Sequence, residues 1–189
     1  MVRRYCADCG EHVDVMIIVE GRGEVPRCAL CGLELAEEII TAPVGLDTVI
    51  VVEDSEMLRE ATTDLLLSEN LARFVTPCHD GGEFLSTATK LLKAQRSIDL
   101  IVLDVNLPVI NGINAAIALR MIERGLETSR RIPILFFASR TPDDALRRVL
   151  QFLTPARYLN KGAESDPKRL ALRIQQILAR LIKVPATGQ

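Results

Sequence analysis

Residues 100–112 read LIVLDVNLPVING, and this stretch decides the fold. Its apolar run LIVL ends in Asp104, and Pro108 with Asn111-Gly112 punctuates the loop beyond. Three more runs share the pattern: VIVV precedes Glu53-Asp54, ILFFA precedes Ser139 and ARYLN precedes Lys161. In an open parallel sheet such positions converge on the crevice outside the carboxyl ends of the strands. Three carboxylates, a hydroxyl and an ammonium would then share one pocket, a set suited to a divalent cation and a phosphoryl group.

Working outward from this stretch, apolar runs at 48–52, 73–77, 99–103, 132–137 and 156–159 alternate with stretches of helical spacing. Ser55 precedes one such stretch as a capping hydroxyl. Thr141-Pro142-Asp143-Asp144 and Asp166-Pro167 offer a cap, a first-turn proline and early acids. Five strand–helix units predict a parallel sheet with helices on both faces.

Residues 1–42 are different. HVDVMIIVE, EVPRCAL and LELAEEII alternate around Gly21-Arg22-Gly23 and read as hairpin strands. Cys6-x2-Cys9 and Cys28-x2-Cys31 have the spacing of a four-thiolate zinc site, with Gly10 and Gly32 making the tight turn after each pair. Four thiolates complete a tetrahedron, so the expectation is structural Zn2+, with an iron site on the same ligands as the alternative. So short a segment buries little core, and metal binding would provide its folding free energy. His12 reads as a bystander and the lone Cys78 as a small buried hydrophobe. An unpaired cysteine beside two such pairs argues for a reducing compartment over a disulfide framework.

Composition narrows the function further. The chain has 189 residues, 48% of them hydrophobic and 25% charged, as in a globular protein. No run approaches a membrane span and the amino terminus lacks a secretory core, so a cytoplasmic location and no membrane partner are expected. Residues 1–42 carry four arginines against eight carboxylates, and five Phe with two Tyr make no stacking platform. Both features argue against nucleic acid as a partner.

Each strand-end residue taken alone is ordinary. Acids after a strand cap helices, an Asp before a Pro-Gly loop is turn chemistry, and a Lys there is a solvated charge. Together, in this order, they resemble the receiver domain of bacterial response regulators over roughly residues 47–183. The resemblance implies a flavodoxin-like, doubly wound five-stranded parallel sheet of order 2-1-3-4-5. It implies that Asp104 accepts a phosphoryl group from a sensor histidine kinase or phosphotransfer protein. Asp54, Asp104 and the Asn106 carbonyl would bind Mg2+ directly, Glu53 would act mostly through water, and Lys161 would supply a fixed positive charge. Ser139 and Tyr158 would carry the switch. Crowded carboxylates repel, which raises a pKa unless a cation offsets them. Arg140 departs from the small residue usual in the family, and Asn106 and Thr141 occupy positions that tune hydrolysis.

The expected organisation is a zinc ribbon (1–42), a linker (43–46), a receiver domain (47–183) and a tail (184–189). The expected protein is a phosphoacceptor, not a turnover enzyme, whose chemistry is self-catalysed transfer and autodephosphorylation. With only VPATGQ after the last helix, no separate effector is expected and the output is contact with a downstream protein. A homodimer through the fourth and fifth helices is compatible with this reading. Two rivals are a nucleic-acid-binding regulator acting through the ribbon and a Mg2+-dependent phosphohydrolase. The latter generally has a second acid two residues after the nucleophile, where this chain has Asn106.

Overall fold

The computed structural model describes residues 3–20, 23–35, 45–138, 144–161, 170 and 173–178. Strands β1 (Arg3–Cys6), β2 (Glu11–Glu20) and β3 (Gly23–Cys28) form a small antiparallel sheet in that order. Of the expected third run, LELAEEII, Glu34 makes an isolated bridge to Arg27, and residues 36–40 lie outside the described residues.

The larger sheet is parallel. It contains β4 (Leu46–Val52), β5 (Ala72–Cys78), β6 (Leu100–Asp104), β7 (Ile134–Ala138) and β8 (Ala156–Asn160), in the order β5-β4-β6-β7-β8. Helices α1 (Glu56–Ser68), α2 (Gly81–Lys93), α3 (Gly112–Gly125) and α4 (Asp144–Phe152) follow β4, β5, β6 and β7, and residues 173–178 are helical after β8. Every residue of β6 and β7 is buried, as strands covered on both faces must be. The strand β5 is an edge, so it accommodates Pro77. Two boundaries differ from the sequence expectation. The apolar run at 132–137 enters the sheet only at Ile134, because Pro133 has no N–H to give. Leu46, expected in the linker, is already in β4 and donates to the Leu71 carbonyl at 3.0 Å.

Alternate residues of the strands feed two cores. Ile50, Val52, Ile101, Leu103 and Phe136 meet Phe84 of α2, Leu119 of α3 and Leu150 of α4 on one face. Val49, Val51, Val102 and Leu135 meet Leu66 of α1 with Ile174 and Ile177 on the other. Ser55, Asp80 and Asn111 cap α1, α2 and α3, each accepting the backbone N–H three residues on. The caps expected at Thr141 and Asp166 lie outside the described residues. No helix among the described residues is long and apolar enough to cross a membrane.

The cysteine-bearing sheet rests on the β8 end of the larger one. Gly32 approaches the Arg147 side chain of α4, and the two parts enclose a groove lined by Ile18, Arg27, Leu33, Arg147, Leu150 and Arg157. The helix α4, one of the two expected to serve dimerisation, therefore contributes to the wall of this groove.

Candidate functional site

The carboxyl ends of β4, β6 and β8 bring four of the expected residues together. Glu53 and Asp104 are buried, at 4% and 5% exposure, while Asp54 faces solvent. Carboxylate oxygens of Glu53, Asp54 and Asp104 all lie within 4.8 Å of one another. The Lys161 ammonium bonds Glu53 and stands 3.0 Å from Asp104 Oδ2, so one cation serves two buried anions. Removing one partner of so enclosed a pair leaves an uncompensated charge, which is why such groups occur together. The Phe137 ring lies 5.9 Å from the ammonium and gives it an aromatic face.

Local backbone geometry sets each acid. Arg59, one turn into α1, donates to the carbonyls of Glu53 at 2.7 Å and Asp54 at 3.3 Å, which fixes the acidic corner. The Asn106 N–H donates to Asp104 Oδ1 at 3.2 Å and holds the carboxylate toward the pocket. Gly112 is required here for space: a Cβ on it would come within 1.9 Å of the Asp104 carbonyl oxygen. Arg59 and Phe137 were not legible as site residues, since helix arginines and strand phenylalanines are ordinary in any α/β protein.

Burial pushes the Glu53 carboxyl above its ordinary value. The Lys161 bond and charge pull the other way, and the Asp104 charge adds to the rise. A divalent ion would offset this repulsion. Octahedral Mg2+, with ligands at about 2.1 Å, needs oxygens about 3 to 4 Å apart, and these three acids can supply them. Ser139 lies outside the described residues. Tyr158 is fully buried in β8, opposite Phe136 of β7. Burial pushes its hydroxyl pKa up, helped by the nearby Cys9 and Cys31.

The four cysteines form a second centre. Sγ of Cys6 and Cys31 are 3.7 Å apart and those of Cys9 and Cys28 are 3.8 Å apart, with all four sulfurs within 4.8 Å. Tetrahedral Zn2+ with bonds of about 2.3 Å puts its sulfurs about 3.8 Å apart, whereas a disulfide needs about 2.05 Å. Backbone N–H groups of Cys9, Leu30 and Cys31 point at the Cys6 and Cys28 sulfurs at 3.3 to 3.5 Å. Gly10 and Gly32, at φ 77° and 72°, close the two turns in the left-handed region. The donor set and spacing fit zinc. His12 stays out of the cluster and stacks edge-on against Tyr5.

A five-stranded parallel sheet with this acid-and-ammonium pocket at its carboxyl edge defines a receiver-type fold. The response regulator receiver domain model matches residues 49–175, and the chain belongs to that family. The match places it with two-component response regulators at the level of this domain. Among solved structures, the Arabidopsis thaliana receiver domain of the histidine kinase CKI1, complexed with Mg2+ and BeF3−, superposes with TM-score 0.59 at 23% identity, over 70% of this chain and 89% of that one. The chemotaxis response regulator CheY4 of Vibrio cholerae gives TM-score 0.51 at 25% identity, over 70% of this chain and 98% of that one.

Curated relatives match in part. A protein-glutamate methylesterase/protein-glutamine glutaminase of Vibrio cholerae is 30% identical over 97 residues, 51% of this chain and 22% of that protein. An NAD-dependent protein deacetylase of Clostridium acetobutylicum is 30% identical over 61 residues, 32% of this chain and 25% of that protein. The chain thus spans about a quarter of the length of these relatives.

Proposed function

We propose that the chain is a phosphorylation-controlled signalling protein in which Asp104 accepts a phosphoryl group from a phosphohistidine on a histidine kinase or phosphotransfer protein. A carboxylate oxygen of Asp104 attacks phosphorus, the new O–P bond replaces the N–P bond, and the imidazole leaves with the electron pair and takes up a proton. Asp54, Asp104 and the Asn106 carbonyl would hold Mg2+, with Glu53 acting mostly through water, and the ion would offset charge on the carboxylate and phosphoryl oxygens. Lys161 follows the phosphoryl oxygens, and Ser139 donates to one of them. Tyr158, three residues before Lys161 in the middle of β8, carries the change to the surface of α4 and β8, where a downstream protein reads it. The chemistry is one transfer followed by hydrolysis of the acyl phosphate to inorganic phosphate, without turnover of a separate substrate.

Residues 1–42 act as a zinc ribbon, and residues 47–183 as the receiver unit. One observation carries the reading: an ammonium shared by two buried carboxylates, with a third carboxylate in reach. The test is intact-mass measurement of the full chain with Mg2+ and a small phosphodonor. One added phosphoryl on the native chain and none on Asp104→Asn is the expected result. Equal labelling of both chains would remove Asp104 from the role.

A further inference from the structure

The two centres are joined by a short buried path. The turn between the first cysteine pair, Ala7-Asp8, is 3% and 1% exposed because it packs on the end of β8. There the Asn160 N–H donates to the Asp8 carbonyl at 2.9 Å. Arg173, 2% exposed, closes the junction. Its Nε donates to the Ala7 carbonyl at 2.8 Å, and its Nη2 donates to the Asp8 and Asn160 carbonyls, each at 3.3 Å. Asn160 is the residue before Lys161. One guanidinium therefore ties the loop carrying Cys6 and Cys9 to the backbone from which the pocket's ammonium extends.

The chemistry at Asp104 is sensitive to where that ammonium stands. A displacement of about 1 Å in a positioning group costs on the order of a hundredfold in rate. The Cys6–Cys9 turn is rigid when its thiolates share a metal ion, and less so otherwise. Resting on the reading above, we propose that Arg173 and the Cys6–Cys9 turn position Lys161, so that Zn2+ on the four thiolates and a phosphoryl group at Asp104 strengthen each other's binding. Arg173 is a positioning residue that acts through three backbone carbonyls. The fork of donors, aimed at backbone from two separate parts of the chain, is what the site uses.

Linkage makes the effect reciprocal, which provides a readout other than phosphorylation. Zinc affinity of the full chain is measured by competition with a chromophoric chelator in Mg2+, with and without saturating beryllium fluoride, whose occupancy is followed by fluorine NMR. About tenfold tighter zinc binding with beryllium fluoride present is expected, within the usual range of such couplings. Arg173→Lys, which keeps the charge but loses the fork, is expected to bind both ligands and to lose most of that difference. Equal zinc affinity with beryllium fluoride bound would overturn the coupling and leave the Asp104 reading intact. A native chain that binds no beryllium fluoride would overturn both. Full coupling in Arg173→Lys would remove Arg173 from the path. The native-chain comparison decides the coupling even where the variant fails to fold.

Discussion

Lys161 Nζ stands 3.0 Å from Asp104 Oδ2 while also bonding Glu53, so the strand β8 is tied electrostatically to β6 and β4 at the carboxyl edge of the sheet. Replacing Lys161 by Met leaves two buried carboxylates facing each other. We expect a loss on the order of 3 kcal/mol in urea unfolding without Mg2+. Saturating Mg2+ should return part of it, because the ion takes over the neutralising charge. An equal loss with and without Mg2+ would contradict the shared-cation account.

The raised Glu53 value sets a pH dependence. In the metal-free fold burial makes ionising Glu53 costlier than in the unfolded chain, so Glu53 contributes stability at low pH that is lost as pH rises through its raised value. Mg2+ needs the carboxylate, so metal affinity runs the opposite way and falls as pH drops through that value. At pH 8, Mg2+ at about a hundred times its Kd should add about 2.7 kcal/mol, which raises Tm by about 5 to 10 °C for a chain of this size. At a pH below that raised value the same concentration should shift Tm far less. Identical shifts at the two pH values would count against Glu53 as a ligand.

Two glycines of α3 make a matched pair. A Cβ on Gly112 would meet the Asp104 carbonyl oxygen at 1.9 Å, whereas a Cβ on Gly125 would meet nothing within 4 Å. Gly112→Ala should cost about 3 kcal/mol and weaken Mg2+ binding, since Asp104 must move. Gly125→Ala should be neutral or stabilise by about 0.5 kcal/mol. Urea unfolding and a Mg2+ titration of both variants check the contrast.

The five thiols should divide four to one. The four clustered sulfurs are buried together, and burial pushes the separate Cys78 thiol up to about 11. Zinc-loaded protein should react slowly with a disulfide reagent at pH 8 and contain one zinc per chain. After chelation four thiols should react quickly and the fifth slowly. Cys78→Ser should retain the zinc and Cys9→Ser should lose it; the reverse pattern would refute the assignment.

Much of this molecule is legible without coordinates. The apolar runs ending in Asp104 and Glu53-Asp54 report a parallel sheet because strands buried on both faces cannot alternate. The two cysteine pairs report a four-sulfur cluster because the spacing within each pair is a local property. The caps at Ser55 and Asn111 act within one helical turn, so they too are local.

Long-range contacts are another matter. Arg120 and Glu123, three apart on α3, look like a surface pair. The fold buries them, with Arg120 donating to the carbonyls of Ile132 and Leu153 and Glu123 accepting the Ile132 N–H. Arg59 and Arg173 are likewise ordinary helix residues by sequence, and their carbonyl partners become neighbours only after the strands are ordered. Local pattern therefore determined the element types, the thiolate set and the identity of the acids. Tertiary structure decided which arginines are buried and that the cysteine turn lies against the strand end before Lys161. Backbone carbonyls look alike in every sequence, so only packing reveals which of them a distant guanidinium will reach.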